Sequence, residues 1–248
     1  MFDNLPEFVS TILAGLGETV AATLGGIAIA AVLSFVFGLA MLSSSRTVRV
    51  IARIYVEIWR GTSEVVQLFW IYFVLPILVG YQIVPLVAGI LVLGLNFGAY
   101  GAEIVRGAIQ SVPRAQYEGA IALSLTPVQR MRRVILPQAL VEMVPPFNNL
   151  FIQLLKGSAL LTIIAVPEMT NQARNVLMDV FTSQAGVIWT VLLLFYLVLA
   201  ILITLGMKVL ERWAGRIVGR GPSQAARDRG LRVAADAQLG IGGGGPVP

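Results

Sequence analysis

Residues 19–42, TVAATLGGIAIAAVLSFVFGLAML, run for 24 positions without one charged side chain. About 20 apolar residues let a helix cross the hydrocarbon of a bilayer. An unpaired peptide group is too costly there, so such a stretch must close its own backbone hydrogen bonds as a helix. A second charge-free stretch covers residues 187–207. Three less clean stretches of spanning length lie between them. They are 54–79, which carries Glu57, Arg60 and Glu64; 84–106; and 145–166, which carries Lys156. The chain is 57% hydrophobic and only 12% charged, whereas a soluble domain is about a quarter charged. The expected fold is all-α and integral to the membrane, with five transmembrane helices. Residues 5–17 suit a short helix on the membrane surface.

Basic residues mark the cytoplasmic side of such spans. Segment 43–53 holds Arg46, Arg49 and Arg53 and no acid. The stretch after the third span holds Arg106, Arg114, Arg130, Arg132 and Arg133, and the C-terminal region is richer still. Five spans place these regions on one side with 15 of the 18 basic residues. The N-terminus is therefore expected outside and the C-terminus in the cytoplasm. Residues 1–18 read as an extracytoplasmic segment and 19–212 as the membrane domain. Residues 213–248 read as a cytoplasmic tail, partly disordered because the Gly, Ala and Pro after Gly221 cannot bury enough apolar area. The formal charge of +5 belongs to these flanks, so lipid rather than nucleic acid is the expected partner.

There is no cysteine and no histidine. That excludes disulfides, thiol nucleophiles, imidazole bases and imidazole-ligated metals. Neither a cofactor nor a metal is expected, and no catalytic residue. A Lys156–Ser158 pair is the one candidate for an intramembrane enzyme, but residues two apart on a helix do not face each other. No G-x-x-x-x-G-K-[S/T] sequence occurs, so the chain has no phosphate cradle of its own.

The most informative stretch is 111–140, SVPRAQYEGAIALSLTPVQRMRRVILPQAL. Pro113 suits a first helical turn, and YEGAIALSL reads as a short helix. Thr126 is placed as an N-cap, with Pro127 at the first helical position and Gln129 completing a capping box. A second helix, VQRMRRVIL, is expected to end against Pro137. Taken alone, this is an amphipathic hairpin anchoring a loop at the membrane surface.

Residues 111–137 also resemble the cytoplasmic loop of ATP-binding-cassette (ABC) importer permeases. That pattern is Glu-Ala-Ala, three residues, Gly, nine residues, Ile, one residue, Leu-Pro. Glu118, Gly119 and Ala120 match its start, with Gly for the middle alanine. Ser124 stands for the glycine, and Val134 to Pro137 close the pattern. WRGTSEVVQLFWIYFVLP, LGLNFGAYGAEIVRGAIQSVP and NLFIQLLKGSALLTIIAVPEMT are similar to the polar amino-acid branch of these permeases. Ser63 replaces the usual proline of an Arg-Gly-Thr-Pro run. The resemblance covers about residues 11–212. Within the branch, GAYGAEIVRGA and LLKGSALLTII look like permeases for ectoine and hydroxyectoine.

The resemblance implies the permease subunit of an importer in the bacterial cell membrane. Its solute would be a polar amino acid or a related zwitterion, ectoine and hydroxyectoine included. Its partners would be a cytoplasmic ABC ATPase dimer, a second permease copy or a sister permease, and an extracytoplasmic solute-binding protein. Glu118, Gly119, Ala120, Ser124 and Pro137 would form the ATPase-coupling element. The alternative is a secondary transporter or channel, for which internal repeats or charged coupling groups along a pathway would be expected.

Polar groups near the bilayer midplane are costly and tend to be functional. Gln67, Asn96 and Lys156 lie near the centres of their spans and are candidates for the solute pathway. Interhelical hydrogen bonds, worth ~0.6 kcal/mol on average in membranes, account for Gln67 and Asn96 equally well. Lys156 needs an anion, which a solute carboxylate, Glu64 or Glu142 would supply. Relatives often carry aspartate after this lysine, where this chain has Gly157. Glu57, Arg60 and Glu64 read as a local ion-pair ladder at helical spacing.

Overall fold

The computed structural model describes residues 4–217. The rest of the tail expected from residue 213 lies outside the described residues. Every regular element among the described residues is helical. Helix α1 is Leu5–Ala14, α2 Leu16–Ala40, α3 Arg46–Gly61, α4 Glu64–Val79 and α5 Pro85–Gln110. Then come α6 Arg114–Ala122, α7 Pro127–Ile164, α8 at residues 169–180 and α9 Ala185–Ile217.

Four of these helices are long and apolar enough to span a bilayer, and α3 with α4 makes a fifth if the bent pair is one span. The five expected spans are met in that sense, but the second is not one rod. It breaks at Thr62 and Ser63, both extended, and the axis turns by 102°. Apolar residues continue on both sides of Gly61-Thr62-Ser63, so hydropathy alone reads through the break. The expected ladder is corrected with it. Arg60 lies in the last turn of α3, Glu64 opens α4, and Arg60 pairs instead with Glu103 of α5 at 3.6 Å.

Pro137 does not end its helix either. The helix that was to end there continues to Ile164. Proline has no N–H and its ring crowds the carbonyl four residues back. Here a π turn, Met131–Ile135, precedes it, with the Leu136 N–H donating to the Met131 carbonyl. The wider turn lets the helix run through the proline. Pro76 in α4 follows the π turn Trp70–Val74 in the same way.

Helix α5 is the central post. Of its most apolar window 61% is buried, against 22% for α9. It packs along α2 at a seam of small residues. An added Cβ at Gly38 would lie 2.7 Å from Val105 Cβ and 2.9 Å from the Ala102 carbonyl. One at Gly101 would collide with Ser34 Oγ and lie 2.8 Å from Ser34 Cβ. The Ser34 hydroxyl donates to the Ala30 carbonyl of its own helix at 2.6 Å and also lies 3.3 Å from the Gly98 carbonyl of α5. On the outside, Leu193, Leu194, Leu197, Ile201 and Leu205 of α9 are exposed, as suits a face turned to lipid.

Helix α1 is more than a surface helix. Phe8 and Ile12 are fully buried and join Met169, Ala173, Leu177 and Ile188 in a second core. At this junction Glu168 is fully buried, although its sequence context between two spans suggests a solvated acid. Its carboxylate accepts the N–H groups of Thr170 and Asn171, both at 2.7 Å, and the Tyr196 hydroxyl at 3.3 Å. Burial outweighs these donors and pushes the carboxyl up to about 7. The folded state therefore favours the protonated acid. Stability from this group is fully present below the unfolded value near 4.5 and is lost as pH rises through about 7. The loss is on the order of 3 kcal/mol. Melting of the purified protein in detergent is expected at a lower temperature at pH 8 than at pH 5. Glu168→Gln is expected to flatten that difference; an unchanged pH profile in the variant would contradict it.

Candidate functional site

The loop 111–137 is built as two fastened pieces. Tyr117 of α6 donates its hydroxyl to the Ile109 carbonyl at 3.1 Å, tying the helix to the end of α5. Gln138 of α7 donates to Gln116 at 3.1 Å. The capping box is present as expected: the Gln129 N–H donates to Thr126 Oγ1 at 3.3 Å, and the Thr126 N–H donates to Gln129 Oε1 at 3.0 Å.

The small residues of the motif have different tasks. Ala120 is buried against the rest of the protein, while Glu118 and Gly119 are exposed. Nothing lies within 4 Å of a Cβ added at Gly119. Ser124 has φ +55°, left-handed backbone. Its N–H donates to the Ile121 carbonyl at 2.8 Å and the next N–H, of Leu125, to the Ala120 carbonyl at 3.1 Å. That is the pattern by which glycine ends a helix. Position 124 thus demands backbone freedom, beyond the small size that the sequence suggests. Ser124→Gly is expected to stabilise the turn by about 1 kcal/mol, read as slower hydrogen exchange at residues 124 and 125. Around the turn, Ile121, Leu123 and Val128 are exposed apolar side chains. Pro137 lies apart from this turn, inside α7.

Gln67 and Asn96 come together; no hydrogen bond joins Lys156 to either. Both amides are buried. Asn96 Nδ2 donates to Gln67 Oε1 and to the Trp59 carbonyl, each at 2.9 Å. Gln67 Nε2 donates to the same carbonyl at 2.9 Å and to Thr62 Oγ1 at 2.6 Å. A helix end leaves its last carbonyls without partners, and these amides satisfy the one at Trp59. Lys156 is exposed in α7, two residues before the helix tightens into a 3-10 turn at Ser158–Ile164. Gly157 beside it is buried against Leu93 and Phe97.

A charged cluster adjoins this knot. Glu103 receives Arg106 Nε at 2.8 Å and Arg106 Nη2 at 2.6 Å, besides Arg60. The Arg60 guanidinium also lies over the Tyr100 ring, 5.1 Å from its centre. Arg106 Nη1 donates to Gln110 at 2.8 Å. Sequence reasoning passed over the link from Glu103 to Arg60 because the two are 43 positions apart. An acid inside an otherwise apolar stretch is the signal that points to it.

Residues 26–216 match the family model described as binding-protein-dependent transport system inner membrane component. The chain belongs to this family. A probable amino-acid ABC transporter permease of Sinorhizobium fredii is 41% identical over 221 residues, 84% of this chain and 91% of the other. The glutamine transport system permease of Escherichia coli is 37% identical over 163 residues, 65% of this chain and 74% of the other. Among solved structures, an amino acid ABC transporter crystallised with histidines superposes with a TM-score of 0.77 at 31% identity. The match covers 86% of this chain and 98% of that one. The permease fold expected from the sequence is thus the fold observed.

Proposed function

We propose that this permease is the membrane subunit of an ABC importer for a polar amino acid, with a separate cytoplasmic ATPase docked on the loop 111–137. The observation that carries the reading is that loop. It is held rigidly to α5 and α7 by Tyr117 and Gln138, yet its outer face, with Gly119, Ile121, Leu123 and Val128, is exposed. A push on a fastened loop moves the attached helices as near-rigid bodies. Glu118, Gly119, Ala120, Ser124 and Pro137 form the coupling element in this reading. Ala120 and Ser124 shape it, Pro137 carries it into α7, and Glu118 and Gly119 meet the partner.

The basic loops face the cytoplasm, with the N-terminus outside, and two permeases, identical or sister, share one ATPase pair and one solute-binding protein. The names of the similar proteins support an amino acid as solute. Lys156 is the anchor for its carboxylate, while Gln67 and Asn96 shape the path by fixing the break between α3 and α4. The glycine after Lys156 offers no anion for a cationic side chain, which favours a neutral zwitterion. Ectoine and hydroxyectoine rest only on the two stretches that look like their permeases.

The test is uptake of labelled glutamine into vesicles holding the permease with its ATPase and binding protein, with ectoine and other amino acids as unlabelled competitors. Uptake that needs hydrolysable ATP and is blocked by amino acids is the expected result. Uptake blocked by ectoine alone would move the solute. Uptake that persists with a hydrolysis-dead ATPase would overturn the reading in favour of a secondary transporter.

A further inference from the structure

We propose that Arg60 and Glu103 form a latch between the broken helix pair and α5, one that opens and closes in each transport cycle while the buried Gln67–Asn96 knot serves as its hinge. This rests on the importer reading above and names residues that position the solute path.

The two polar contacts, made from the adjacent residues Trp59 and Arg60 of α3, differ in the way a hinge and a latch differ. At the hinge, Asn96 and Gln67 are buried and share the Trp59 carbonyl. Parting them would strand polar groups away from water, which is strongly disfavoured. Tyr55 adds a further tie, donating its hydroxyl to the Leu95 carbonyl at 2.7 Å. At the latch, Arg60 and Glu103 are 39% and 27% exposed and stand 3.6 Å apart. Neither charge is stranded when they separate. Glu103 keeps the two-point contact from Arg106, and Arg60 keeps the Tyr100 face and access to water. An ion pair with a second partner ready on each side opens at small cost.

The latch is also wired to the loop. Arg106 bonds Gln110, the last residue of α5, and α6 is tied to that same end through Tyr117. A displacement of the loop therefore reaches Glu103 through a single helix. The two extended residues Thr62 and Ser63 form the joint between α3 and α4, and Gln67 Nε2 holds Thr62 Oγ1 there at 2.6 Å. Hinges of this kind take up backbone rotation at a few positions between rigid elements.

The chain has no cysteine, so Arg60→Cys with Glu103→Cys introduces its only thiols. The double variant is assembled with ATPase and binding protein, treated with a short bifunctional thiol reagent, and the linked peptides are quantified by mass spectrometry. Each single variant controls for links between copies. The expected yield differs at least fivefold between nucleotide-free and ATP-trapped transporters. Linking is expected to stop uptake. The unlinked double variant, its hinge intact, is expected to hydrolyse ATP and carry about tenfold less solute per ATP than the parent. Equal yields in the two states, or uptake that survives linking, overturn the latch. If the parent itself shows no ATP-driven uptake, the importer reading falls and the latch with it; a transporting parent with equal yields sinks the latch alone.

Discussion

Gly119→Leu is expected to leave the permease folded and to abolish coupled transport. Uptake by the assembled transporter should fall at least tenfold while its ATPase goes on hydrolysing ATP. The chain itself has no objection to the side chain: nothing lies within 4 Å of the added Cβ, and the position is exposed on α6. Leucine even has a higher helix propensity than glycine. Surface changes away from special features usually stay within about 0.5 kcal/mol. Whatever Gly119→Leu does must therefore arise where another protein approaches the loop. Melting in detergent separates the two levels, since it should be unchanged. Normal uptake per ATP hydrolysed would remove Gly119 from the coupling surface.

Gly101→Val is the opposite case. Here the added Cβ would meet Ser34 of α2, and Phe147 Cε1 of α7 lies 3.2 Å away. All three helices meet at this point, so none can retreat without moving the others. Overpacking of a tight core costs typically about 1–3 kcal/mol, and this seam admits no atom at all. A loss on the order of 3 kcal/mol is expected from a folding margin of about 5–15 kcal/mol. It should appear as a lower melting temperature and a broadened elution peak in detergent, with no assembly needed to see it. Because the clash is with Ser34, the pair Ser34→Gly and Gly101→Ala should recover part of what Gly101→Ala loses alone, as contacting residues couple. Additive losses would mean that the seam fails for another reason.

The two glycines also mark what a sequence reveals. The spans were legible because lipid imposes length and hydropathy, and residues 19–42 satisfy both without exception. The Thr126–Gln129 box was legible because capping is local. The break at Thr62–Ser63 was not, since its stabilising partner is a backbone carbonyl held by amides from elsewhere. Gln67 and Asn96 stood out as polar residues in apolar stretches, but nothing announced that they bond each other. Pro137 misled because the π turn that accommodates it leaves no mark in hydropathy. Glu168 gave no sign of burial, because the helices that cover it come from both ends of the chain.

That last junction sets a timetable for the folding of the newborn chain. The Thr19 hydroxyl accepts the Met169 N–H across 150 positions, and Gly15 leaves no room for a Cβ beside the Glu168 backbone. A ribosome adding about 5–20 residues per second needs roughly 8–30 s to deliver the second half of this contact. Throughout that interval α1 and the start of α2 are already made but have nothing to close on. The first helix to leave the ribosome is among the last to be fixed, and Phe8 and Ile12 need temporary cover, from lipid or from a chaperone, until α8 arrives.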